Sequence, residues 1–390
     1  MKKTVSIFTL MILITACGDT TDTFHHQSFV ADTHNDVLLR VMQGEDISQI
    51  TSSGHSDIPR MLEGGIDAQV FSVWVNPSEY GRNNSYDRAI EMIKALENIQ
   101  EAVPNKFEIT KSYDDLLRIE KAGKLAGIIG VEGGHAIENV MVNLIRLYRR
   151  GMRYLTLTWN NSTPWATSAL DETKNEDIPF RGLTDFGRKV VKKCNELGIM
   201  IDVSHLGEQA FWDVIETTTQ PIIASHSCVY SLCPHFRNLK DDQLKAIGDN
   251  GGVVFVNFYP GYLDSTFKDK ADAIEETHQR ELDSLKALYD EESDDYWYGS
   301  MAILGEELAK AAPTVDAVID HIDYIAKLVG VDHVGLGSDF DGVSVLPKGL
   351  EDCTKMPVIT RKLLHRGYSK EDVRKIIGEN FRRIFKEVVG

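Results

Sequence analysis

Eight short runs rich in Val, Ile and Leu recur along the chain, at 29–33, 68–75, 125–131, 154–158, 200–203, 222–224, 253–256 and 333–336. They are apolar on consecutive rather than alternate residues, the pattern of parallel strands covered on both faces. Segments with helical spacing separate most of them. Residues 84–103 place Ile90, Ile93, Leu96 and Ile99 on one face. Residues 184–197, 208–217, 241–247 and 314–329 keep the same period, with Thr184, Asp241 and Thr314 as the expected caps. A final helix over 370–388 starts after Ser369, has Asp372 three residues on, and offers Val373, Ile376, Ile377, Phe381 and Ile384 to a core. Strands and helices alternating in this way predict an α/β fold closed into a (β/α)8 TIM-type barrel, for which ~250 residues is typical. An open doubly wound sheet is the alternative. It would want a Gly-rich phosphate turn after an early strand, and Gly133-Gly134 lacks the G-x-G-x-x-G pattern.

Two stretches fall outside the repeat. Residues 263–312, after the seventh strand, are broadly helical and strongly acidic (Asp290, Glu291, Glu292, Asp294, Asp295). They read as an insertion on the rim where active sites of such barrels lie, either a solvated hairpin or a lid or dimer arm. At the other end, Lys2 and Lys3 precede a mostly apolar stretch over 5–14, too short for a permanent span, which needs ~20 residues. It runs into Ile14-Thr15-Ala16-Cys17, which resembles a bacterial lipoprotein cleavage box. The expectation is a signal peptide over 1–16, a lipid-modified Cys17 with a tether over 17–27 that includes His25 and His26, and one catalytic domain over 28–390. The chain would then be exported and lipid-anchored in the bacterial cell envelope.

The formal charge of −17 argues against nucleic acid or an anionic surface as partner, since both would repel it. Cys194, Cys228, Cys233 and Cys353 show no C-x-x-C spacing and no disulfide framework, and are read as core thiols.

The unusual polar residues cluster at strand ends. The first strand runs into Asp32-Thr33-His34-Asn35-Asp36 and the third ends at Val131-Glu132-Gly133-Gly134-His135. The fifth ends at Asp202-Val203-Ser204-His205, the sixth at Ala224-Ser225-His226-Ser227, and the eighth at Gly337-Ser338-Asp339-Phe340-Asp341. In a parallel barrel all five ends share one rim. Three imidazoles (His34, His205, His226) and three carboxylates (Asp36, Glu132, Asp339) form a nitrogen and oxygen donor set without thiolate, which suits zinc and tolerates manganese or cobalt. His34 and Asp36 are two apart on extended chain, so both point to the same side. Six donors are too many for one tetrahedral ion but suit two, with Glu132 as the natural bridge because a carboxylate has two oxygens. Two ions ~3.5–4 Å apart would hold a bridging hydroxide, the nucleophile of a hydrolase. His55, His135 and His235 are read as structural or supporting.

With these stretches in view, the sequence resembles the membrane (renal) dipeptidase family of zinc peptidases from about Phe29 to the C-terminus. Beyond the strand-end motifs, the matching stretches include Arg153-Tyr154-Leu155-Thr156-Leu157-Thr158, Arg237-Asn238 and Val256-Asn257-Phe258-Tyr259. The resemblance implies two zinc ions, one held by His34, Asp36 and Glu132 and the other by Glu132, His205 and His226. It implies Glu132 and Asp339 as catalytic, with Asp339 shuttling the proton and meeting the substrate's amino group. It implies Arg237 for the terminal carboxylate of a dipeptide and Tyr262 beside the carbonyl oxygen. It also suggests a homodimer. One departure stands out. Where dipeptide-cleaving members usually carry a substrate-contacting histidine, this chain has Trp159, which offers one N–H and a large apolar face. Two alternatives stay open: another binuclear amide or ester hydrolase with an altered substrate range, and a non-catalytic peptide-binding lipoprotein.

Overall fold

Apolar runs that bury both faces need partners on both sides, and they find them in one another. The computed structural model describes residues 20–390 apart from Glu176 and Glu292. Its strands are β1 (Ala31–Asp32), β2 (Ala68–Trp74), β3 (Phe107–Ile109), β4 (Leu125–Glu132), β5 (Met152–Thr156), β6 (Met200–Asp202), β7 (Ile223–Ala224), β8 (Val253–Val256) and β9 (Val334–Leu336). All pairings are parallel, in the order β1-β2-β4-β5-β6-β7-β8-β9. The circle closes between the ends of β9 and β1. There Thr33 N–H donates to Leu336 O at 3.1 Å, Asp36 N–H to Phe340 O at 2.8 Å and Asp339 N–H to His34 O at 3.1 Å. The eight expected strands are therefore present in a nearly closed (β/α)8 barrel. β3 is a ninth, unread from the sequence. It pairs with β4 from Phe107↔Leu125 to Ile109↔Gly127, just before β5 joins that edge.

The barrel interior has two floors. Below the rim, Phe29, Ala68, Val70, Ile128, Tyr154, Phe255 and their neighbours form a cluster completed by Phe381, Ile384 and Phe385 of the C-terminal helix, which plugs the bottom. That helix is not uniform: Lys370–Arg374 is α, Lys375–Glu379 is a π turn, and Asn380–Val388 is α again. The extra residue in the turn lets Asn380 Nδ2 donate to Val331 O and Val334 O, tying the helix to the start of β9. Ser369 and Thr184 cap their helices as expected, whereas Asp241 lies one residue inside its helix and Thr314 precedes one whose N-cap is Val315.

The lipoprotein signal and Cys17 lie outside the described residues. The tether expected over 17–27 is corrected where it is described, because Thr20–His26 is a helix. Phe24 and His25 are buried, and His25 bonds Thr360 Oγ1 at 2.7 Å and Gly64 O at 2.9 Å. An amphipathic turn that can bury a phenyl ring against the barrel does not stay free in water. The insertion is a set of helices, Phe267–Thr277, Gln279–Lys286 and Asp294–Ala311, around a small core of Phe267, Leu282, Leu304, Leu308, Ala312 and Val345. Cys194, Cys228, Cys233 and Cys353 are free and buried. Among the described residues no helix is long and apolar enough to cross a membrane.

If the C-terminal helix closes the barrel, Phe381→Ala should destabilise the fold by about 3–5 kcal/mol, as for other buried Phe truncations. Urea unfolding measures this, and a loss below about 1 kcal/mol would contradict the plug.

Candidate metal centre

Glu132 is the last residue of β4, and its carboxylate is where the rim converges. Oε1 lies 3.0 Å from His205 Nε2 and 3.5 Å from His226 Nε2, while Oε2 lies 3.4 Å from His34 Nε2. His34 Nε2 also lies 3.3 Å from Asp36 Oδ2. His34, Asp36 and Asp339 bring donor atoms within 4.8 Å of one another, as do His34, Glu132 and His226. All six expected ligand-type residues are thus gathered in one pocket, and all are buried.

Local backbone does the aiming. His205 and Asp339 each sit three residues beyond a strand with φ of 64° and 63°, in the left-handed region that His and Asp enter more readily than most residues. Such positions cost of order 1–3 kcal/mol each and persist where the surroundings hold them. Gly342 is required here for lack of space, because a Cβ would collide with the carboxylate oxygens of Asp36 and Asp339.

A ring of polar groups behind the imidazoles fixes which nitrogen faces the centre. Ser225 Oγ donates to Asp202 Oδ2 at 2.7 Å, so it accepts from His226 Nδ1–H, also at 2.7 Å. Asn160 Oδ1 accepts from His205 Nδ1–H at 3.0 Å, and Tyr154 OH meets His34 Nδ1 at 2.7 Å. The Nε2 atoms of His205 and His226 therefore carry bare lone pairs, and they face each other at 3.0 Å. His34 Nε2 is buried without a hydrogen bond. Lone pairs and carboxylates pointed at one another are repulsive in a low-dielectric pocket unless positive charge lies among them. This donor set fits metal cations, and the outer hydrogen bonds are those that orient metal-bound histidines.

The protonation states of His205, His226 and Glu132 agree with this reading. Burial pushes His205 down to about 3, helped by the nearby Arg237 charge, and pushes His226 well below the usual imidazole range, so both are neutral donors at pH 7. Burial works against the charge on Glu132, yet His34, His205 and His226 hold it well below the usual carboxylate range. Burial also opposes charge on His34, but Tyr154, Glu132 and Asp36 raise it well above its ordinary value. The Asp339 carboxyl is pushed up to about 7 by burial, with His34 opposing and Asp36 and Glu132 adding to the rise. Asn257 Nδ2 donates to its Oδ2 at 2.8 Å.

The expected substrate-side residues share a cavity of ≈ 700 Å³ with the ligand set. Arg237 is 3% exposed, which matters because its Nε and Nη1 have no partner while Nη2 donates to His226 O at 3.3 Å. A buried guanidinium with open donors is a site for an anion. Tyr262 lies under it, 5.5 Å from ring centroid to Cζ, and burial keeps its phenol protonated. Trp159 faces Trp74 with ring centroids 5.0 Å apart and His205 at 6.3 Å. His55 accepts from Asp341 N–H, His135 bonds Val75 O, and His235 accepts from Arg237 N–H, so all three support the fold around the site. Sequence reasoning missed Tyr154, Asn160, Ser225 and Asn257 as orienting groups, and Trp74 and Trp297 as cavity walls. Tyr154 and Ser225 stood inside the motifs; only their partners were invisible.

Buried nitrogen and carboxylate donors at the C-terminal rim of a (β/α)8 barrel define a metal-dependent hydrolase of the amidohydrolase-like kind. The profile of the family Membrane dipeptidase (Peptidase family M19) matches residues 19–389. The chain belongs to the membrane dipeptidase family and is a metallopeptidase. Among solved structures it is similar to dipeptidase AC, a metallo peptidase of the same family (27% identity, 93% of this chain and 99% of that one, TM-score 0.75). It is similar also to a metallo peptidase from Rhodobacter sphaeroides liganded with a phosphinate mimic of the dipeptide L-Ala-D-Ala (26% identity, 93% and 99%, TM-score 0.74). The fold is shared with the probable dipeptidase PvdM from Pseudomonas aeruginosa (24% identity, 95% and 97%, TM-score 0.78). The alternative of a non-catalytic binder falls with the family.

Tyr154→Phe removes only the hydroxyl behind His34. It should weaken metal retention about 10- to 100-fold in a chelator-competition titration. Unchanged affinity would show that the hydroxyl does not orient His34.

Proposed function

We propose that this metallopeptidase is a zinc-dependent dipeptidase holding two ions, one through His34, Asp36 and Glu132 and one through Glu132, His205 and His226. The observation that carries the reading is Glu132 meeting three imidazole nitrogens, two of which, those of His205 and His226, are held in tautomers that leave lone pairs inward. Zinc ions so held supply a water activated near neutral pH and a Lewis acid for the scissile carbonyl. The chain's own residues do the rest. Arg237 binds the terminal carboxylate through its open Nε and Nη1, which selects short peptides with a free end. Asp339, held by Asn257, receives the proton of the attacking water, meets the substrate's amino group and delivers the proton to the leaving nitrogen. Tyr262, kept protonated by burial, donates toward the carbonyl oxygen as charge develops there. The relative liganded with a mimic of L-Ala-D-Ala supports a dipeptide as the substrate class.

The chain is expected to hydrolyse free dipeptides, to lose that activity on chelation and to regain it with zinc. Asp339→Asn should lower kcat by about 10²–10⁴ while metal content is kept. Dipeptides amidated at the C-terminus should be poor substrates for the wild type. Turnover that survives complete metal removal would overturn the mechanism.

We also propose that the exported chain is anchored through a lipid on Cys17, on the strength of the Ile14-Thr15-Ala16-Cys17 box after an apolar stretch. Labelled fatty acid should enter the wild type and not Cys17→Ser. Equal labelling of both would rule the anchor out.

A further inference from the structure

The polar anchors and the large aromatic rings occupy opposite arcs of the rim. Arg237 follows β7, Tyr262 follows β8 and Asp339 follows β9, whereas Trp74 ends β2 and Trp159 follows β5. The indoles line the same cavity as these anchors. There the cavity is roofed by the insertion, whose Trp297 and Tyr298 line the same space as Trp74 and Trp159. This roof is built. Its helices share their own core, and Phe267 packs against Tyr259 at 6.3 Å, beside the pair Tyr259–Tyr262 at 4.8 Å. At ≈ 700 Å³ the cavity lies in the range of about 300–1,000 Å³ that drug-sized ligands fill. A dipeptide of two small residues would leave much of it to water against apolar walls. Trp159 adds apolar area and no charge to this wall.

We infer that the insertion and Trp159 form a side-chain subsite that selects dipeptides carrying one bulky apolar or aromatic residue, with Trp297 as its outer wall. This rests on the dipeptidase reading and names its substrate class. The solvated-hairpin reading of the insertion gives way to that of a specificity wall.

The test compares kcat/KM of the zinc-loaded enzyme on L-Ala-D-Ala with that on dipeptides in which Leu, Phe or Trp replaces one alanine at either position. The wild type should favour a bulky dipeptide by roughly tenfold or more, the scale that an apolar pocket achieves. Trp297→Ala should collapse this ratio toward one, and Trp297→Phe should keep it, which separates a lost wall from an unfolded insertion. A wild type that prefers L-Ala-D-Ala, or a ratio unmoved in Trp297→Ala, overturns the subsite while leaving the dipeptidase reading intact. Absence of turnover on every dipeptide would instead strike the reading beneath it.

Discussion

Three carboxylates buried within a few ångströms of one another, beside two imidazoles whose lone pairs face inward, repel unless positive charge lies among them. The desolvation cost of an uncompensated buried ion is several kcal/mol even after relaxation. Glu132 is the crux, because each of its oxygens faces imidazole nitrogen at 3.0–3.5 Å. A proton on His34 answers part of this charge. It cannot answer the lone pairs of His205 and His226, which Asn160 and Ser225 turn toward each other. The arrangement makes sense as one shaped around metal.

The barrel is what makes that arrangement affordable in conformational terms. Strand ends bring residues hundreds of positions apart onto one rim, and the closure between β9 and β1 sets His34, Asp36 and Asp339 side by side. Left-handed turns at His205 and Asp339 re-aim the chain just beyond the last strand pairing, and hydrogen bonds such as Leu206 N–H to Val203 O and Gly342 N–H to Asp339 O hold those turns. Beneath the rim the C-terminal helix fills the lower floor, so the site stands on a packed base rather than over a pore.

Much of this was legible in the sequence, for identifiable reasons. Consecutive apolar residues announced strands buried on both faces, and the polar residues that broke those runs marked the rim. What stayed hidden depends on contacts between distant residues. Tyr154 reads as one more apolar strand residue until His34 is placed on its hydroxyl. β3 carries Glu108 between Phe107 and Ile109, so it lacks the consecutive apolar run that marked the other strands. Thr20–His26 looks polar and tether-like because only Phe24 and His25 bury themselves. The insertion was legible as acidic and helical. That its Trp297 reaches the catalytic cavity follows only from how the helices fold back.

The indoles and the candidate ligands line one cavity, with Trp159 packed against His205. The central claim concerns the ligands, and anomalous diffraction at the zinc edge on crystals of the protein tests it most directly. The account predicts two peaks, each within about 2.0–2.2 Å of a different Glu132 oxygen. A single peak, or two peaks neither of which touches Glu132, would contradict it.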